Sequence, residues 1–363
     1  MSLQKSAAFQ TALNDNQIKT LSIVYISSLS LSLLGSFSVV VVTIIKRRHL
    51  NEQVRPLLQL ALADFLASAV LLCTSAINFI PYGQLPQSIS ICERGLPLAL
   101  MFYGISFLLV MVYAYESKRA VQGWRERTEE GGDRQPQSEG RDREKLPRVY
   151  AVVWFVPIGV YFLYVFTEGL TEANLQANPG ETMPNEAMTN KHMTFCTSCI
   201  LLLHFGNDSC PHVDEGHDLF VKSFFFVSVL SVLLCCNVVY YKVGSWYSQH
   251  QERGMFLIEG DRFGRRRLRD LYSTARSMVL VIIFCWTPAF ILVSLSFTEG
   301  IPQEKLYPLY VIQAVTVSLQ GLLDSAVYGW LRRNFREAAL GERMPLLATP
   351  TKAYYDESLT ATR

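Results

Sequence analysis

The stretch MVLVIIFCWTPAFILVSLSF, from Met278 to Phe297, contains no charged residue. As a helix rising 1.5 Å per residue it spans about 30 Å, the thickness of a bilayer's hydrocarbon core. Similar runs lie on either side of it, at 21–45, 57–80, 95–115, 149–166, 219–241 and 309–331. Backbone amides in lipid must be paired inside the protein, so these runs predict an all-α membrane protein, a seven-transmembrane-helix bundle. An odd number of spans excludes an even-stranded barrel. The 50% apolar content of the 363 residues and the positive mean hydropathy agree with lipid as the solvent.

Orientation follows from Lys and Arg. Segments 46–56, 116–148, 242–277 and 332–363 hold 27 of the 33, which predicts that they face the cytoplasm. The N-terminus is then outside and the C-terminus inside. Residues 1–20 form an extracellular N-terminus, 21–331 the bundle and 332–363 a cytoplasmic helix and tail. The first twenty residues lack a short apolar core with a small-residue cleavage site, so the first span reads as its own signal-anchor. The basic loops answer to anionic lipid and intracellular partners rather than nucleic acid.

Two inserts stand out. Residues 120–147 are rich in Gly, Glu, Arg and Gln with almost no apolar residue, the composition of a disordered cytoplasmic insert. The 167–218 loop on the opposite side carries eight acidic residues against one Lys, together with His192, His204, His212 and His217. Those histidines lack metal-ligand spacing, and no metal site is read from them. The acidic mouth mildly favours a cationic ligand through field focusing. Cys73, Cys235, Cys236 and Cys285 lie in spans, whereas Cys92, Cys196, Cys199 and Cys210 face the oxidising side, where four cysteines allow two bridges in three connectivities. A bridge from Cys92 to the long loop would fix that loop over the bundle as a lid. Asn207-Asp208-Ser209 is a glycosylation sequon on the same side.

Ionisable groups at membrane depth are costly and so point to function. Asp64 lies seven residues past the start of its span and Asp324 seven before the end of its own, which puts both about 10 Å from the cytoplasmic edge. If their helices are neighbours, the two carboxylates cannot cheaply both stay ionised. They should share a proton, ordered water or a cation such as sodium. The plainer alternative is that each acid simply hydrogen-bonds a polar group on an adjacent helix.

Several stretches resemble the rhodopsin-like receptors by position. They are Leu60-Ala61-Leu62-Ala63-Asp64, Trp154 in the fourth span, Cys285-Trp286-Thr287-Pro288, and Asp324-Ser325-Ala326-Val327-Tyr328 followed by Phe335. The resemblance implies rhodopsin-like receptor architecture, with a short amphipathic helix after the seventh span at 331–340. It implies a ligand cavity floored by Trp286, and a Pro288 kink that lets helix six swing open for a cytoplasmic partner. Asp64, Trp286, Pro288, Asp324 and Tyr328 would form the switch. Glu116, Lys118, Arg119, Arg276 and Arg332 would form the partner interface. Departures are Ser325 where Pro is usual, Gly35-Ser36 for Gly-Asn, and Ser117 where most receptors have the Arg that meets the G protein.

A closer resemblance rests on Leu309-Tyr310-Val311-Ile312-Gln313-Ala314, Gln320-Gly321-Leu322-Leu323, Val327-Tyr328-Gly329-Trp330, Val54-Arg55-Pro56-Leu57 and Cys199-Ile200-Leu201. These resemble the transmembrane protein 116 family, an orphan, receptor-like, multi-pass group. The resemblance implies seven spans and favours Cys199 as the partner of Cys92, leaving Cys196 and Cys210 as a second pair.

Signatures of catalysis are missing: there is no Gly-x-Ser-x-Gly elbow, no phosphate-cradling Gly loop after a strand, and no Lys in 309–331 to hold retinal. No enzyme activity or cofactor is expected. The reading is transmembrane signalling by helix-six movement on binding an extracellular ligand, with a heterotrimeric G protein or other cytoplasmic partner, in plasma or endosomal membranes. The alternatives are a non-signalling scaffold or trafficking protein, to which the dileucine-like Glu342-Arg343-Met344-Pro345-Leu346-Leu347 would suit, and an ion-coupled transporter using Asp64 and Asp324.

Overall fold

The structure is a computed structural model that describes residues 13–45, 55–79, 88–129, 148–167, 199–201, 215–252, 262–297 and 303–330, in which all regular structure is helical. The elements are α1 (Asp15–Ile45), α2 (Arg55–Ile77), α3 (Ser88–Glu129), α4 (Arg148–Thr167), α5 (Glu215–Glu252), α6 (Arg262–Ser296), α7 (Gln303–Ser318) and α8 (Gln320–Asp324), followed by a π-helical segment, Ser325–Trp330. Six helices are long and apolar enough to cross a bilayer, and α7 with α8 makes a seventh if that bent pair is one span. Phe155, Phe162, Leu163 and Phe166 on α4, with Leu34 on α1 and Phe284 on α6, are all exposed. Such surfaces are stable against hydrocarbon and not against water. The chain is an integral, multi-pass membrane protein.

Several boundaries differ from the sequence reading. Helix α1 starts at Asp15 because Asn14 caps it: the Asn14 N–H donates to Gln17 Oε1 at 2.9 Å, and the Gln17 and Ile18 amides donate back to the Asn14 carbonyl. This reciprocal cap is local chemistry, independent of the apolar run that follows. Helix α3 runs on to Glu129, into the stretch read as a disordered insert from 120. Once a packed helix has been nucleated, good helix formers such as Gln122, Arg125, Glu126 and Arg127 propagate it, up to the neighbourhood of Gly131 and Gly132. The rest of that insert, the amphipathic helix expected at 331–340 and the tail lie outside the described residues. Helix α6 continues through Pro288. A break occurs in the last span, at Leu319, where the two parts meet at 41°.

Close packing of α1 against α8 is made by small residues. Helix α1 turns Ser22, Tyr25, Ser28, Leu29, Ser32, Ser36 and Val39 inward at helical spacing. A Cβ on Gly321 would come within 2.5 Å of Ser32 Oγ and 2.7 Å of Ser36 Oγ, so only glycine fits there. Ser36 Oγ and Ser325 Oγ both donate to the Gly321 carbonyl, at 3.3 and 2.6 Å, and Ser68 Oγ donates to Ser32 Oγ at 3.1 Å. Close backbone approach with hydroxyls bridging the helices is the usual association chemistry inside a membrane.

Candidate functional site

Asp64 and Asp324 are both fully buried, and they are the only buried charged side chains among the described residues. Helix α2 carries the first and the end of α8 the second; Asp64 and Gln320 are the polar neighbours of Asp324. The two acids are thus neighbours across α2 and α8. Ser106 on α3 donates to Asp64 Oδ1 at 2.7 Å. The polar groups that Asp324 faces are the Asp64 carboxyl and the Gln320 amide. Two buried carboxyls facing one another at membrane depth cannot cheaply both stay ionised. The oxygens of Asp64, Asp324 and Ser106 suit a monovalent ion such as sodium, which prefers hard oxygen donors. No cluster of three or more His, Cys, Asp or Glu residues converges among the described residues.

Trp286 sits one side of this pair and Gln320 joins them. The Trp286 indole N–H donates to Gln320 Oε1 at 2.6 Å. The other end of the same amide, Nε2, donates to Ser106 Oγ at 3.1 Å and approaches Asp64 Oδ1 at 3.5 Å. One side chain therefore bridges α6 to α3 and α2, and an unbroken polar line runs from the indole to the acid. Gln320 lies one helical turn before Asp324 and so on the same face. The sequence reading passed over it, although that spacing was a usable signal. Around the indole, Tyr103 and Phe107 stand edge-on with ring centroids at 5.4 and 4.9 Å, and Phe225 is tilted at 6.2 Å. Edge-to-face contacts of this kind favour one ring orientation. Pro288 lies two residues beyond Trp286 and lacks the N–H that would pair with the Phe284 carbonyl.

At the other end of α6, Arg276 meets Tyr240 of α5. Its Nε donates to the phenol oxygen at 2.9 Å, its Nη2 also contacts that oxygen, and the guanidinium lies 4.8 Å from the ring centroid. Arg276 is the one expected interface residue whose side chain is described. Those of Glu116, Lys118, Arg119 and Tyr328 are not, and Arg332 lies outside the described residues, as do Cys196, Cys210, Asn207 and the four loop histidines. Cys92 and Cys199 are joined by a disulfide, with Cα atoms 5.2 Å apart.

A family model described as transmembrane protein 116 matches residues 18–354. The match takes in all but the first three residues of the described spans and the whole of the polar line from Trp286 to Asp64. The chain belongs to the transmembrane protein 116 family. Membership accounts for the multi-pass architecture and brings the buried residues of α2, α3, α6 and α8 within one matched region.

Proposed function

We propose that this family member is a receptor-like signalling protein, oriented with its N-terminus outside, in which movement of α6 is governed by the state of the acid pair. The observation that carries the reading is the continuous hydrogen-bonded line Trp286–Gln320–Ser106–Asp64. Trp286 is the lever side chain of α6, and Gln320 stands just after the break in the last span. A change of charge at Asp64 and Asp324 alters what Gln320 Nε2 faces, and Gln320 Oε1 passes that change to the indole. Low local dielectric makes such a fully connected chain cooperative. A ligand acting on the aromatic cage of Tyr103, Phe107 and Phe225 biases the same element from the other side, which is the requirement for coupling two sites through one two-state element.

The inner ends of α5 and α6, held by Arg276 and Tyr240, are where a cytoplasmic partner would be received, with a heterotrimeric G protein as the first candidate. A second-messenger screen across G-protein families, with surface expression checked, tests the reading. Constitutive or ligand-raised output should change in Trp286→Ala and Gln320→Leu at equal surface level; output indistinguishable from untransfected cells in every family overturns it. Two carboxyls buried side by side favour one competing reading, ion-coupled transport. That reading requires ion flux in proteoliposomes which Asp64→Asn abolishes.

A further inference from the structure

Cys199, Ile200 and Leu201 belong to the long loop between α4 and α5, yet their exposures are 0, 2 and 1%. Ile200 and Leu201 are part of the same core as Tyr25, Leu71, Ala99 and Tyr310. A loop that merely covered the bundle would bury apolar side chains and leave its backbone to water. Here the backbone is recognised too. The Cys199 N–H donates to Asn78 Oδ1 at 2.8 Å, and Asn78 Nδ2 donates to Ser22 Oγ at 2.9 Å. The Tyr25 hydroxyl donates to Gln313 Oε1 at 3.0 Å and lies 3.5 Å from the Leu201 carbonyl. The disulfide ties the segment to Cys92 of α3. Side chains of Tyr25 on α1 and Asn78 just beyond α2 thus read the main chain while the bundle buries the side chains, which is how a bound peptide is held.

We propose that Cys199-Ile200-Leu201 is a built-in ligand, occupying the outer end of the bundle between α1, α2, α3 and α7 and setting the resting position of the switch. Its uncharged character matches the side chains that hold it, Asn78 and Tyr25, which are uncharged as well. The disulfide keeps the segment at high effective concentration, so modest contacts suffice to hold it in place. Gln313 gives it a route to the switch. Gln313 and Gln320 are seven residues apart along the last span, about 10 Å of helix, with the Leu319 break between them. Displacing Tyr25 or Leu201 changes the partner of Gln313, and the break lets the segment beyond it answer by reorientation. The proposal rests on the switch reading above, because occupancy has an output only if α6 can move.

The test uses the full chain in lipid nanodiscs, with Cys73→Ala and Cys235→Ala, and spin labels at Tyr241→Cys and Leu280→Cys to report the α5–α6 separation. Ile200→Ser combined with Leu201→Ser removes the apolar occupant, and Asn78→Leu removes its main backbone anchor while keeping the disulfide. Both variants are expected to move the mean label distance by about 2 Å or more, the scale of helix shifts in switching bundles. Should the double variant fail to fold, Asn78→Leu alone decides. If the loop variants leave the distribution unchanged while Trp286→Ala alters it, the segment is only a lid and the proposal falls with the switch intact. If Trp286→Ala also leaves it unchanged, the switch reading fails and takes the built-in ligand with it.

Discussion

The indole nitrogen of Trp286 and the amide oxygen of Gln320 lie 2.6 Å apart, joining α6 to the first residue beyond the break in the last span. Because the other end of that amide reaches Ser106 and Asp64, the pair is the narrowest point in the connection between helix six and the acids. Trp286→Phe removes the donor and keeps a ring; Gln320→Leu removes the acceptor and also strands the groups at Nε2. The first is expected to cost about 1 kcal/mol and the second about 1–3 kcal/mol of stability. Thermal unfolding of the two single variants and the double variant should give a coupling of about 0.6–1.7 kcal/mol. Strict additivity would mean that the bond carries no energy.

Asp64→Asn and Asp324→Asn test the shared positive charge. If a proton or sodium ion sits between the two carboxyl groups, the melting temperature of the purified protein depends on both pH and sodium concentration, since anything bound only to the folded state stabilises it. Either substitution removes one of the two charges and should flatten both dependences. Variants that follow the parent across pH and sodium would assign the acids to ordinary interhelical hydrogen bonding.

Gly321→Ala tests the interlock of α1 with α8. Its added methyl would sit 2.5 Å from Ser32 Oγ, 2.7 Å from Ser36 Oγ and 3.2 Å from Asp64 Cβ. Overpacking of this kind costs about 1–3 kcal/mol. The two nearest obstacles are hydroxyl oxygens, so Ser32→Ala with Ser36→Ala should recover part of the loss in the Gly321→Ala background. Recovery is absent if the loss comes from the α8 backbone itself, and the melting temperatures distinguish the two cases.

Much of this arrangement was legible in the sequence because it follows from counting. The apolar runs give the helices, six of them long enough to cross a bilayer and a seventh if the bent pair is one span, and two acids each seven residues from one end of their runs give the pair. What was not legible depends on side-chain direction and on competition between local and tertiary forces. The bond of Gln320 to Trp286 falls just past the break at Leu319, and a break without Pro or an adjacent glycine pair leaves no clear mark in the residues. Ser325, where receptors have Pro, heads a π-helical segment, and wide turns of that kind are frequent at functional sites but carry no sequence signature. Ile200 and Leu201 are too short a run to show a period, so their place in the core came from the disulfide and from Asn78.

Arg276→Ala and Tyr240→Phe address the contact between α5 and α6. Arg276 is exposed, and its contact with Tyr240 combines a hydrogen bond to the phenol with a guanidinium over the ring. An exposed contact of this sort is worth about 0.5–1 kcal/mol, too little to affect folding but enough to shift a two-state equilibrium several-fold. Tyr240→Phe keeps the ring and removes the oxygen, so it should release the helices less than Arg276→Ala does. The expected order of α5–α6 separation, read by paired spin labels, is parent, Tyr240→Phe, then Arg276→Ala, with unfolding temperatures nearly unchanged. Equal separations in all three would show that the latch does not restrain α6, and the restraint would then have to come from the aromatic cage around Trp286.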